Sequence, residues 1–157
     1  MNLLSQFHQY IRLERNLSPK TVEAYMSDVR KWLRFMTQLE DNQILHDGNI
    51  DNMILNVQLE DLQEYLVSLY DEGIKARSQS RAISSLKAFY KFLHWNKKIE
   101  NDPTTFLETP RIGRKLPEVL TIPEIESMIN SIDLSSPEGH RNKAIIEVMY
   151  GCGLRVS

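Results

Sequence analysis

The chain has 157 residues, 41% of them hydrophobic and 25% charged. That length suits one or two domains, and that composition is ordinary for a globular protein. No apolar run reaches membrane-spanning length, the lone Cys152 excludes an internal disulfide, and His8, His46, His94 and His140 are too scattered for metal-ligand spacing.

Met1 opens directly on an amphipathic pattern without a signal peptide, so a cytoplasmic location with no membrane partner is expected. The net charge of −2 argues against a polyanionic ligand until its distribution is read. Residues 1–37 carry +3, 38–73 carry −9, 74–115 carry +7 and 116–157 carry −3. A ligand within a Debye length of about 8 Å at physiological salt responds to the local patch rather than to the total.

Leu3, Leu4, Phe7, Tyr10 and Ile11 recur at helical spacing and predict a first helix over residues 2–15. Ser18 is a good N-cap and Pro19 fits the first helical position, so a second helix starts there and runs to about Leu39. Val22, Tyr25, Met26, Val29, Leu33 and Met36 line its inner face, with Trp32 at the edge. Lys20, Ser27, Lys31 and Arg34 lie outside with Arg30 flanking, a basic face interrupted by Glu23 and Asp28. Residues 40–57 lack a clean period and read as a loop with a short helical turn near Ile50–Leu55.

A third helix over 59–72 turns Leu59, Leu62, Leu66 and Leu69 inward, with Tyr65 and Tyr70 adjoining. Its outer residues Glu60, Asp61, Glu64, Asp71 and Glu72 would be repelled by a polyanion, and Gly73 stops it. The fourth helix, 75–96 with Ser78 as candidate N-cap, organises the reading. Ala82, Leu86, Phe89, Tyr90 and Leu93 share one face, while Arg77, Arg81, Ser84, Lys87 and Lys91 fall opposite without any acid. A solvated face normally mixes signs, because Glu–Lys pairs at i,i+4 support it. Cations and small hydroxyls alone suit a helix lying against a polyanion.

Residues 101–117, with Pro103, Pro110, Gly113 and Pro117, cannot continue a helix. Arg111, Arg114 and Lys115 make this stretch a basic interdomain linker. Thr121 and Glu124 form a capping box opening a short helix to about Ile132. Residues 135–139 read as a turn, and 141–150 as a nearly all-apolar helix that should be buried, ended by Gly151-Cys-Gly153. Residues 116–157 lie near the lower limit for independent folding, about 40 residues, so they are expected to dock, to pair with another copy or to be poorly ordered.

HRNKAIIEVMYGCGLRVS resembles the first conserved box of the tyrosine recombinases, and the chain as a whole is similar to their Xer-type members. NLSPKTVEAYMSDVRKWLRF resembles that family's second helix, SQSRAISSLKAFYKFL its fourth, and DPTTFLETPRIGRKLPEVLTIPEI the joint between its DNA-clamp and catalytic domains. The resemblance implies an all-α fold. A four-helix SAM-like core-binding domain over 1–100 is followed by the linker 101–117 and by the first helices of a truncated catalytic domain over 118–157.

The family cuts and rejoins DNA through a 3′-phosphotyrosine intermediate, without metal or nucleotide cofactor, in a synaptic tetramer of recombinase subunits. Arg155 matches its first catalytic arginine, whose forked guanidinium suits the charge building on non-bridging phosphate oxygens. The family's further groups, a hairpin lysine, a His-x-x-Arg box and the nucleophilic tyrosine, fall beyond that arginine. None follows Ser157, so the expectation is a fragment without cleavage activity.

The expected partner is therefore double-stranded DNA. Lys20, Ser27, Lys31, Arg34, Arg77, Arg81 and Lys91 would face the duplex, and Ser18 to Thr21 would offer helix N-terminal N–H groups to a phosphate. Ser78, Gln79, Ser84 and Lys87 would reach base edges or phosphates, while Arg111, Arg114 and Lys115 track the backbone. A helical adaptor, DNA-binding but non-catalytic or pairing the acidic third helix with the basic fourth of another molecule, is the alternative.

Overall fold

The computed structural model describes residues 2–39, 44, 49–110, 113 and 119–156. Among these the chain is helical, without strands. Its elements are α1 (Leu3–Gln9), a π-helical turn (Tyr10–Glu14), α2 (Pro19–Thr37), α3 (Ile50–Asn56), α4 (Leu59–Asp71), α5 (Ala76–Trp95), α6 (Ile122–Asn130) and α7 (Pro137–Cys152). Two compact units result, Met1–Gly113 and Arg114–Ser157.

In the first unit, Asn2 caps α1 by accepting the Ser5 N–H at 2.9 Å. The expected single helix over 2–15 instead widens into the π turn, where the Arg15 N–H reaches the Tyr10 carbonyl at 3.0 Å. The inward spacing of Phe7, Tyr10 and Ile11 suits either turn width, so periodicity does not distinguish them. Ser18 caps α2 and Pro19 occupies its first turn. Helix α4 ends in a Schellman motif: Gly73 takes a φ of 72°, and the Ile74 N–H reaches the Leu69 carbonyl at 3.0 Å.

Helix α5 starts earlier than its serine suggested. Lys75, not Ser78, is the N-cap residue, and the Ser78 and Gln79 N–H groups bond the Lys75 carbonyl at 2.8 and 3.1 Å. The Gln79 side chain secures this start by donating to the Ile74 carbonyl at 2.8 Å.

Helices α2 and α5 are the main packing pair. Trp32, expected at the edge, is fully buried with its ring beside those of Phe89 and Tyr90. The Phe7 and Phe89 rings meet edge-on at 5.0 Å between centroids, and Trp32 meets Tyr90 at 5.8 Å. Burying each such side chain stabilises the fold by about 1.5–3 kcal/mol, and edge-on ring pairs add about 0.5–1.5. The Tyr90 hydroxyl donates to the Ile54 carbonyl at 3.2 Å and so fastens α3 to the core. Tyr70, expected beside the inner leucines of α4, lies outside and is 75% exposed. It follows Tyr65 by five residues, or 140° around the helix, so the two rings cannot share a face.

In the second unit both arms of the Thr121–Glu124 capping box form at the start of α6. Helix α7 begins at Pro137, four residues before the expected Arg141, because Ser136 caps it and Pro137 supplies the first turn. The stretch read as a turn is thus a helix start. Gly139 lies so close to the Asp133 carbonyl that any Cβ there would collide with it. Ile145, Val148 and Tyr150 remain about half exposed, so α7 is helical but not buried as expected. Its apolar residues run around the helix, and α6 covers only a small part of them.

Candidate nucleic-acid interface

Helix α5 presents its outward face in a regular row. Arg77, Ser84 and Lys91 stand seven residues apart, two turns each, and span about 21 Å at 1.5 Å per residue. Lys87 lies beside the row, and no acid interrupts α5. Arg77 is exposed and forms no ion pair among the described residues. Lys91 holds its ammonium 5.2 Å from the Trp95 ring centre, a cation–π contact that leaves its charge at the surface. Ser84 returns its hydroxyl proton to the Ser80 carbonyl at 2.9 Å and keeps its oxygen lone pairs outward.

Arg81 behaves differently. Its Nε and Nη2 donate to the two carboxylate oxygens of Asp28 at 2.9 and 3.0 Å. Ser85 adds a third bond to Asp28 at 3.0 Å. Asp28 was expected to interrupt the exposed basic face of α2, but it is 3% exposed and turned toward α5. The carboxylate raises the Arg81 pKa further, first through the hydrogen bonds and then through its charge. Arg81 is therefore an anchored cation on the flank of α5, with about half its side chain still in solvent.

On α2, Lys20 and Lys31 are exposed and form no ion pair among the described residues, while Ser27 and Arg34 are half-buried. The helix N-terminus offers less than the sequence suggested. Pro19 has no N–H, the Thr21 N–H goes to the Ser18 hydroxyl at 3.2 Å, and the Val22 N–H goes to the Ser18 carbonyl at 3.0 Å. The Ser18 and Thr21 hydroxyls also bond each other at 2.8 Å. Only the Lys20 N–H is left without a helical partner in that turn.

Two concavities gather these residues. One, of about 450 Å³, brings Lys31 and Arg34 of α2 to Ser78 and Arg81 of α5, with Asp28, Tyr65 and Glu72 in its wall. Burial, reinforced by the Asp28 and Glu72 charges, pushes the Tyr65 phenol pKa up, so this ring stays neutral there. The other, of about 460 Å³, joins Lys87 and Lys91 to Arg15, over Tyr10 and Tyr25 and beside Thr104 and Thr105. Sequence reasoning missed Arg15. Its only signal was the local charge of the first segment, and no spacing rule links the end of the π-helical turn to α5.

Arg155 is exposed two residues beyond Gly153 and forms no ion pair among the described residues. Arg111, Arg114 and Lys115 lie outside the described residues. Among the described residues, no helix is long and apolar enough to cross a membrane, and no three His, Cys, Asp or Glu side chains cluster as metal ligands would.

A family described as "Phage integrase, N-terminal SAM-like domain" matches residues 4–97. The chain is also similar to proteins named "Tyrosine recombinase XerD". It is 33% identical to that of Staphylococcus haemolyticus (strain JCSC1435) over 155 residues, 99% of this chain and 49% of the relative. Against that of Staphylococcus epidermidis (strain ATCC 12228 / FDA PCI 1200) identity is 34%, and against that of Staphylococcus aureus (strain N315) 32%, with the same coverage. The chain spans about half the length of the curated relatives it matches.

Proposed function

The chain belongs to the phage-integrase family with an N-terminal SAM-like domain, and from that membership we propose that residues 1–100 grip duplex DNA in a site-specific tyrosine recombinase. The observation that carries this reading is the acid-free outer face of α5, where Arg77, Ser84, Lys87 and Lys91 project together. Lys31 and Arg34 on α2 extend it at one end and Arg15 at the other, and Lys20 stands exposed at the start of α2.

On this reading Arg77, Lys91 and the α2 lysines neutralise phosphates and fix register, while Ser78, Gln79 and Ser84 lie where base edges come within reach. Arg81 acts as a pre-oriented donor, since its fork is already held by Asp28. Residues 101–117 form the linker, with Arg111, Arg114 and Lys115 along the backbone, and residues 118–157 open the catalytic domain. Arg155 there would hold the non-bridging oxygens of the attacked phosphate, where a guanidinium fork matches the developing charge. Strand exchange through a 3′-phosphotyrosine, in a tetramer with other recombinase subunits, belongs to the whole protein of the relatives' length.

Fluorescence anisotropy of a labelled duplex tests the DNA reading. Affinity should fall log-linearly with salt, with a slope of about −0.9 per phosphate neutralised. Reversing Arg77 and Lys91 to Glu together should abolish binding at physiological salt. Unchanged affinity in that double variant would overturn the proposed contact face.

A further inference from the structure

We infer that α4 of one copy docks head-to-tail into a groove between α1 and α2 of a second copy. The outward face of α4 carries rows seven residues apart: Gln63 with Tyr70, Glu60 with Val67, and Glu64 with Asp71. Tyr70 is 75% exposed and Val67 59%, so an aromatic and a branched aliphatic side chain stand in solvent at the centre of an acidic rim. No lysine or arginine lies anywhere in residues 38–73, so α4 itself supplies no cation to balance its carboxylates. Exposed aromatic anchors ringed by polar groups are typical of protein contact surfaces, where a buried Tyr often dominates the binding energy.

The same unit carries the complementary shape. Leu17, Val22 and Met26 floor a groove of about 360 Å³, and Arg12 and Arg30 flank it against a single acid, Glu23. Neither arginine forms an ion pair among the described residues. Concavities of about 300 Å³ and above hold whole drug-sized molecules, so one Tyr side chain fits. An apolar floor with cationic sides thus matches an apolar knob with an acidic rim. Knob and groove are different surfaces of one chain, so the contact is heterologous and repeats from copy to copy. It differs from pairing α4 with the basic face of α5, and it leaves that face free for DNA.

Sedimentation equilibrium of the intact 157-residue chain at low ionic strength, without DNA, tests this. Wild type should self-associate, and raising salt should weaken the association as exposed charges are screened. Tyr70→Ala or Val67→Asp should each weaken it at least tenfold, as should Arg12→Glu with Arg30→Glu. All these positions are at least partly exposed, so circular dichroism should match wild type. An equimolar mixture of Tyr70→Ala with the double arginine variant should form a heterodimer and stop at two, since one intact knob meets one intact groove. A monomeric wild type, variants that associate as wild type does, or a mixture that stays monomeric would each overturn the inference. Because DNA is absent, failure here leaves the DNA-binding reading untouched, and loss of DNA binding leaves this one.

Discussion

Arg81 and Asp28, 53 residues apart in sequence, meet fork to fork across the α2–α5 seam at 2.9 and 3.0 Å. The two partners are unequally buried: Asp28 is sealed, whereas about half of the Arg81 side chain reaches solvent. Removing either one therefore has unequal consequences. Arg81→Met leaves a buried carboxylate with Ser85 as its remaining hydrogen-bond donor and should cost about 2–3 kcal/mol, less than a fully buried pair because Arg81 is half solvated. Asp28→Asn leaves a guanidinium that can turn to water, and should cost about 1 kcal/mol. Urea denaturation of both variants checks the order. Equal losses, or the reverse order, would show that Asp28 is not effectively desolvated.

The same pair sets a separate expectation for DNA. Reversing Arg81 to Glu would set one carboxylate against another in the seam, so its effect on binding mixes with unfolding. Arg77→Glu carries no such penalty, because Arg77 forms no ion pair among the described residues. Arg77→Glu should leave the unfolding free energy from urea denaturation within about 0.5 kcal/mol of wild type while weakening duplex binding at least tenfold. Arg81→Glu should lower both together. Denaturation and anisotropy on the same samples separate the two.

Much of the fold was legible because its determinants are local. The spacing of Val22, Met26, Val29 and Leu33 marks α2, Ser18 and Pro19 mark its start, and Thr121 with Glu124 marks α6. The misplaced boundaries were also local, but ambiguous. Ser78 lies inside α5 while Lys75 precedes it, and Ser136–Pro137 reads equally as a turn or a helix start until the structure separates them. The basic face of α5 was visible for the same reason. The partner of Arg81 was not, because Asp28 reads from the sequence as an interruption of the outer basic face of α2, a flank that becomes core only once α5 packs there. Arg15 beside Lys87 and Lys91 was hidden likewise, since tertiary packing alone brings the end of the π-helical turn to α5.

The ends of α4 and α5 use the same left-handed turn with different residues. Gly73 follows α4 at a φ of 72°, and Lys97 follows α5 at a φ of 53°. After α5 the Lys98 N–H reaches the Leu93 carbonyl at 2.9 Å, as the Ile74 N–H does Leu69 after α4. A side chain with a Cβ costs about 1 kcal/mol in that conformation, while glycine accepts it freely. Gly73→Ala should therefore destabilise the chain by about 1 kcal/mol, although nothing lies within 4 Å of the added Cβ. Lys97→Gly should stabilise it by a similar or slightly smaller amount. Thermal melts of the two variants should shift in opposite directions.

The start of α6 should respond to acid. Glu124 accepts from the Thr121 N–H at 2.7 Å and from the Thr121 hydroxyl at 2.8 Å. These bonds, the backbone one first, hold its carboxyl below the ordinary value of 4.5. A group whose pKa is lowered on folding stabilises the folded form above its unfolded value, and that contribution disappears as pH falls through the folded value. The first turn of α6 is therefore capped at neutral pH and frays only in acid, below the ordinary glutamate range. Amide exchange at Thr121 and along α6 should rise there relative to α5, once intrinsic exchange is corrected. In Glu124→Gln the same residues should exchange faster at neutral pH, and their remaining pH dependence should be flat through the acid range. If wild type and Glu124→Gln give the same acid profile, the carboxylate is not what holds the cap.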